Sequence, residues 1–305
     1  MLDLISIGTV TIDLYYKGES LTHTKDRFEL AVGGKYFSEI FYQGLGGGGA
    51  NVAIGVAKHD LKTALVAHIG ENPFKKIIQD KLEAEKVRYD AFCSYHQDYL
   101  NISSILLTEK GEKTIVNYRT PHQHIVTCDA DYELFLKSKA IYLASLSSVA
   151  LTERINVLQF AQKHNVQTFA NLNVTDCRRP LNQITDFLKH VDVFIINSHE
   201  FADIVKTTHT AIDFHTNLHK KFASIFSERQ IVVVTAGKSG SFAYTSEKMY
   251  HEPAVKDVQV DDTTGAGDAF TAGFISSYLK NQDLQKALHD GAAYSVKILT
   301  KLGAN

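Results

Sequence analysis

Tryptophan is absent from these 305 residues, proline occurs four times and cysteine three times. So few prolines exclude collagen-like and proline-rich disordered architectures. The cysteines, Cys93, Cys128 and Cys177, are odd in number and far apart, so they form neither a disulfide framework nor a paired metal knuckle. A reducing cytoplasm is the expected compartment. Charge of one sign is missing too, because 32 Lys and Arg against 34 Asp and Glu leave a formal charge of −2. No global field draws in nucleic acid or an anionic membrane, so any anion must be bound locally. No apolar run approaches the ~20 residues that a membrane helix needs. The first ten residues carry Asp3 and no basic cluster, unlike a signal peptide. What is present is enough apolar residue, 44%, to bury a sizeable core in one large domain over residues 1–305.

From about residue 50 onward, strand-like apolar runs alternate with helical periodicity, which predicts an α/β fold with a doubly wound, mostly parallel sheet flanked by helices. Strands are expected at Leu4–Ile7, Ala64–Ile69, Ala140–Leu146, Val166–Ala170, Val191–Ile196 and Ile231–Thr235. Helices are expected at Asn51–His59, Pro73–Glu85, Leu151–His164, Ser198–Val205, Phe214–Glu228 and Ala266–Lys280. Residues 11–43 and 99–118, the latter turning at Lys110 and Gly111, break the rhythm and read as antiparallel strands. They predict a small separate β-sheet, serving either as a lid or as an edge through which two copies form a homodimer.

Three patterns mimic known sites. Gly44, Gly46 and Gly49 satisfy the dinucleotide fingerprint G-x-G-x-x-G, which would suit an NAD-dependent dehydrogenase. The segment before them, Lys35–Gln43, is too polar for a central parallel strand, and Leu4–Ile7 is the better first strand. Gly237, Lys238 and Ser239 look like the end of a P-loop, yet Val232 stands where its first glycine should be. His215 and His219 lie at metal-ligand spacing, and with no third ligand nearby a solvated helix face is expected.

The most informative stretch runs from Asp261 to Phe274. Gly265, Ala266 and Gly267 lead into a helix whose apolar stripe contains Phe270, Phe274 and Tyr278. Free N–H groups and the macrodipole at such a helix start make an anion site, and the glycines let a phosphate come close. A carboxylate at Asp268 would repel that phosphate unless it has a task, and general base is the task that fits. Helix capping is the plainer reading of the same residue.

Asp262, Thr263, Gly265, Ala266, Gly267, Asp268, Ala269 and Phe270 match the C-terminal signature of the ribokinase-like, pfkB-type carbohydrate and nucleoside kinases, which this chain resembles from about Ile5 to Gly303. Gly46, Gly47, Gly49, Ala50 and Asn51, followed by the Gly70 turn, resemble the N-terminal signature. The resemblance implies a ribokinase-like domain with a small β-sheet lid, and Mg2+-dependent transfer of the γ-phosphate of ATP to a hydroxyl of a sugar or nucleoside. It implies Asp268 as catalytic base and Gly265, Ala266 and Gly267 as anion hole. Asn197 and Glu200 match the motif that orders Mg2+ through water, while Thr235, Gly237, Gly240 and Thr264 fall on the nucleotide side. Asp13, Gly47 and Asn51 fall on the sugar side. Arg119 could clamp an anionic sugar bidentately, although an ordinary surface arginine is the favoured reading of it. In some relatives a monovalent cation such as K+ lies near the positions of Asp262 and Thr264; Asp262 equally suits a loop cap. Serines between Tyr142 and Ser148 replace the sugar-binding glutamate of ribokinases, and Asn72 and Lys75 replace the family's usual Asp and Gly after Gly70. A sensor that keeps the fold without the chemistry is disfavoured by the retention of Asp268, Asn197 and Glu200.

Overall fold

The computed structural model describes residues 1–19, 21, 23–24, 27–89, 94–96, 98–108, 113–121, 124–126, 129–260 and 262–305. Cys93, Cys128, Asp261 and the expected turn at Lys110 and Gly111 lie outside them.

Strands of the central sheet send neighbouring side chains to opposite faces. Ile5, Ile141, Phe194 and Val232 join one apolar layer, and Leu4, Ala140, Val193 and Val233 join the other. Both faces are therefore covered, as a parallel sheet requires. Helices Leu151–Lys163, Leu181–Leu188 and Ser198–Ile204 pack on the first face; Ala266–Asn281 and Leu284–Leu299 pack on the second. The sheet has eight strands in the order Met249–Glu252, Ser241–Tyr244, Ile231–Thr235, Val193–Asn197, Gln167–Ala170, Ser138–Leu143, Leu2–Ile7 and Thr63–Val66. Pairing is parallel except at Ser241–Tyr244, which is antiparallel to both neighbours.

Three expectations differ from this fold. The run Ala64–Ile69 breaks at Ala67, and His68–Gly70 pairs instead with Ser94–His96. The sheet ends in an antiparallel hairpin the apolar runs did not mark. No long helix spans Phe214–Glu228: Asn217 caps a single turn, Leu218–Lys221, and the apolar residues that mimic helical spacing turn individually into the core, with Phe222 and Phe226 against Phe201. His219 is accordingly buried on the Ser227 carbonyl and is not on a solvated face, while His215 precedes the turn and packs on Phe242.

The two segments that break the α/β rhythm do pair. Lys113–Arg119, Asn101–Leu107, Thr11–Lys17 and Ile40–Gly46 form a separate four-stranded sheet in that order. Its two halves join through the parallel pairing of Thr11–Lys17 with Asn101–Leu107; the other pairs are antiparallel. Ile40, Phe41, Val116 and Tyr118 remain exposed on this sheet. Ile40–Gly46, which precedes the glycine-rich turn, is thus a strand of the small sheet, and the dinucleotide fingerprint lacks the parallel strand it requires. Among the described residues no helix is long and apolar enough to cross a membrane.

Candidate active site

The helix Ala266–Asn281 begins beside the sheet's C-terminal strand ends, and its stripe of Phe270, Phe274 and Tyr278 stacks in series within the core. Burial of that stripe fixes where the helix starts. Gly265 caps it with φ +75, a left-handed conformation that glycine adopts without penalty, and a Cβ there would meet Ala304. The first helical bond runs from Ala269 N–H to Gly265 O, so the N–H groups of Ala266, Gly267 and Asp268 need other partners. Space is open where a Gly267 Cβ would stand. N–H groups so placed at a helix start suit an anion.

Two cavities meet at this helix start. The first, of about 400 Å³, is lined by Gly265 and Asp268, by Asp13, Gly47 and Asn51, and by Arg119 from the small sheet. The second, of about 880 Å³, is lined by Ala266 and Gly267 together with Thr235, Gly237 and Gly240. Thr264 lines the first cavity and not the second, and its hydroxyl accepts a hydrogen bond from Lys113 Nζ at 2.6 Å.

Asp268 Oδ2 accepts the side-chain amide of Asn51 at 2.8 Å, which leaves Oδ1 toward the cavity. Burial pushes the Asp268 carboxyl above its usual range, opposed by the Asn51 hydrogen bond. Asp13 is 6% exposed, and its carboxyl is raised to about 6. Burial is the main cause; the neighbouring carboxylates of Asp262 and Asp268 add to it, while Ser103 and Lys113 oppose it. The Asp13 carboxylate lies over Gly46, where any Cβ would overlap it. That contact explains one glycine of the run physically.

Arg119 reaches the first cavity from the end of its strand, with its Nε 3.4 Å from Asn101 Oδ1 and no carboxylate partner among the described residues. Ser103, Asn117, Ser145, Ser147, Asn171 and Asn173 complete a polar wall. Ser145, Ser147, Asn171 and Asn173 follow strand ends, so position after a buried strand was the available signal. Ser103 and Asn117 required knowledge of how the small sheet pairs.

Asn197 and Glu200 form a capping box: Asn197 Oδ1 accepts the N–H groups of His199 and Glu200, and Glu200 Oε2 accepts the Asn197 N–H at 3.2 Å. Neither lines the two cavities. Burial raises the Glu200 carboxyl. Its charge and that of Asp268 both act on the buried Tyr142 hydroxyl, which has no hydrogen-bond partner among the described residues. With one oxygen committed to the cap, Glu200 and Asn197 suit a hydrated Mg2+ held through water and not an all-protein cage.

Comparison with known proteins identifies the family and the fold. The family model described as pfkB family carbohydrate kinase matches residues 1–305. The chain is 27% identical over 255 residues to a probable chloroplastic fructokinase-6 of Arabidopsis thaliana, covering 80% of this chain and 65% of that protein's length. It is 25% identical over 305 residues to a nucleoside kinase of Methanocaldococcus jannaschii, covering 94% and 87%. The structure of Arabidopsis thaliana ribokinase complexed with ribose and ATP superposes with a TM-score of 0.82 at 21% identity, covering 99% of this chain and 94% of that one. With the family model matching from first residue to last, the chain belongs to the pfkB family of carbohydrate kinases.

Proposed function

We propose that this protein transfers the γ-phosphate of ATP to a hydroxyl of a small polyhydroxylated sugar, with Asp268 as general base. The observation that carries the reading is that Asp268 and the free N–H groups of one helix start stand between two cavities. ATP occupies the larger cavity beside Thr235, Gly237 and Gly240, with its phosphates ending at Ala266 and Gly267. The sugar occupies the smaller, where Asp13 and the asparagines and serines fix its hydroxyls by directional hydrogen bonds.

Asn51 holds Asp268 Oδ2, so Oδ1 receives the acceptor's proton while the acceptor oxygen bonds to the γ-phosphorus and the β–γ bridging bond breaks. A carboxylate raised by burial is a stronger base for that step. The N–H groups of the helix start stabilise the charge on the moving phosphoryl group. Asn197 and Glu200 would hold a hydrated Mg2+ through its waters, and bound there it would neutralise charge on the phosphates.

Arg119 favours one acceptor class over another. Among the described residues it has no carboxylate partner, it lines the sugar cavity, its fork geometry suits a carboxylate, and it favours sugars that carry an anionic group. The test is Mg2+-dependent ADP formation from ATP across neutral sugars, sugar acids and nucleosides, beside Asp268→Asn. Turnover with a sugar that is lost in the variant supports the reading. Turnover with nucleosides alone, or an unimpaired variant, overturns the acceptor class or the base respectively.

A further inference from the structure

Asp262 has no exposed surface, and a buried carboxylate is costly unless it is hydrogen-bonded and neutralised. Its Oδ1 accepts the N–H of Thr264 at 2.8 Å and the Thr264 hydroxyl at 2.6 Å; Oδ2 accepts the N–H of Gly303 at 3.3 Å. The neutralising charge comes from the small sheet. Lys113, first residue of the strand Lys113–Arg119, donates Nζ to the Thr264 hydroxyl at 2.6 Å and lies 3.4 Å from Asp262 Oδ1. Among the described residues Lys113 is the cation paired with Asp262.

This donor set does not suit a monovalent metal ion at Asp262. Such an ion needs oxygens with lone pairs to spare, whereas both oxygens here already accept hydrogen bonds and the Thr264 hydroxyl accepts from an ammonium. A second cation would also stand against Lys113 with one carboxylate between them.

We propose that the Lys113 ammonium is the resident monocation of this loop, doing from the small sheet what a bound K+ would do beside Asp262. Thr264 directly precedes Gly265, the cap of the anion cradle, so the same contact ties the small sheet to that cradle. Closing the sheet over the sugar and ordering the cradle are then one event, and turnover does not depend on which monovalent salt is present. Lys113 acts as a positioning residue: it touches the loop and not the reacting atoms.

The activity arm of the test rests on the phosphotransfer reading; a second arm does not. Wild type and Lys113→Met are compared with Mg2+ present, at constant ionic strength, in chlorides of K+, Na+ and tetramethylammonium. Wild-type turnover is expected to be alike in all three. Lys113→Met is expected to fall about tenfold or more in tetramethylammonium and to recover in part with K+ or methylammonium, while Lys113→Arg stays near wild type. Thermal unfolding without substrate repeats the comparison: wild-type Tm is indifferent to the cation, and Lys113→Met gains Tm in K+ or methylammonium. A wild type whose turnover or Tm rises specifically with K+ overturns the proposal. So does a folded Lys113→Met that keeps wild-type behaviour, or one that no small cation restores. If the wild type phosphorylates no acceptor, the phosphotransfer reading fails, and the unfolding arm still decides the role of Lys113.

Discussion

Asn51 donates its side-chain amide to Asp268 Oδ2 at 2.8 Å across 217 residues of sequence. The orientation of that amide is forced from behind. Asn305 donates to the Leu45 carbonyl at 2.7 Å and to Asn51 Oδ1 at 2.9 Å, so the Asn51 oxygen faces Asn305 and its NH2 must face the carboxylate. A reversed amide would set acceptor against acceptor. The chain's two signature regions, far apart in sequence, thereby meet at one oxygen of the proposed base.

Replacing Asn51 with Ala removes the hydrogen bond that lowers the Asp268 carboxyl and leaves burial, which raises it, unopposed. The base then ionises at higher pH. Turnover at neutral pH should drop about tenfold or more, and the acid limb of the pH–kcat profile should move upward, so that raising the pH recovers part of the loss. A profile that falls uniformly, with no shift of the limb, would count against this coupling.

Arg119→Gln removes the guanidinium while keeping a polar side chain on the cavity wall. For an anionic sugar, KM should rise about 10–100-fold with kcat little changed, because a bidentate charged pair held equally in ground and transition states is lost. For a neutral sugar KM should barely move. Equal effects on both acceptors would assign Arg119 to the structure of the small sheet, through Asn101, and not to recognition.

How far the sequence disclosed this site depends on the range of each interaction. Asp268, Gly265 and Gly267 were legible because a helix start is a local object whose stripe, cap and anion cradle lie within a few residues. Parallel strands were legible because burial on both faces makes them continuously apolar. Lys113 was not, since nothing near a lysine beside a turn announces a hydroxyl 151 residues away. Asn305 was hidden for the same reason, 254 residues from Asn51. The segment Phe214–Glu228 misled because helical spacing of Phe214, Leu218, Phe222 and Phe226 also arises when successive turns send each residue into one aromatic cluster. That Thr264 lines the first cavity and meets Lys113 was not legible either, since Lys113 is a tertiary partner.

Gly46→Ala tests the contact between the glycine turn and Asp13. The new Cβ would overlap the Asp13 carboxylate, which is buried and held by Ser103, so the carboxylate must shift or the turn must open. A stability loss of roughly 1–3 kcal/mol is the usual cost of overpacking. The diagnostic result is a raised KM for the sugar with ATP affinity unchanged, because Asp13 lines the first cavity, where the sugar is proposed to bind, and not the second. Equal losses on both substrates would mean the turn as a whole had moved.

Asp13 itself sets stability against function. Its carboxyl is raised to about 6 in the folded chain and returns to its ordinary value of 3.8 on unfolding, so the folded state binds the proton more tightly. The stability this contributes is complete below the unfolded value and is lost as the pH climbs through about 6. At pH 8 the buried, ionised carboxylate then costs on the order of 3 kcal/mol, at about 1.4 kcal/mol per unit. Asp13→Asn keeps the shape, removes the charge and relieves the repulsion from Asp262 and Asp268. The variant should therefore be more stable than wild type at pH 8 by as much as about 3 kcal/mol, with the difference shrinking toward zero by about pH 4. Urea unfolding at the two pH values measures it. A difference that does not change with pH would show that the charge of Asp13 is not what strains the fold. The same variant should bind its sugar poorly, since an ionised carboxylate accepts two hydroxyls where an amide oxygen and NH2 offer one acceptor and one donor. A stabilising substitution that disables sugar binding is the outcome expected if burial of this carboxylate is retained for recognition.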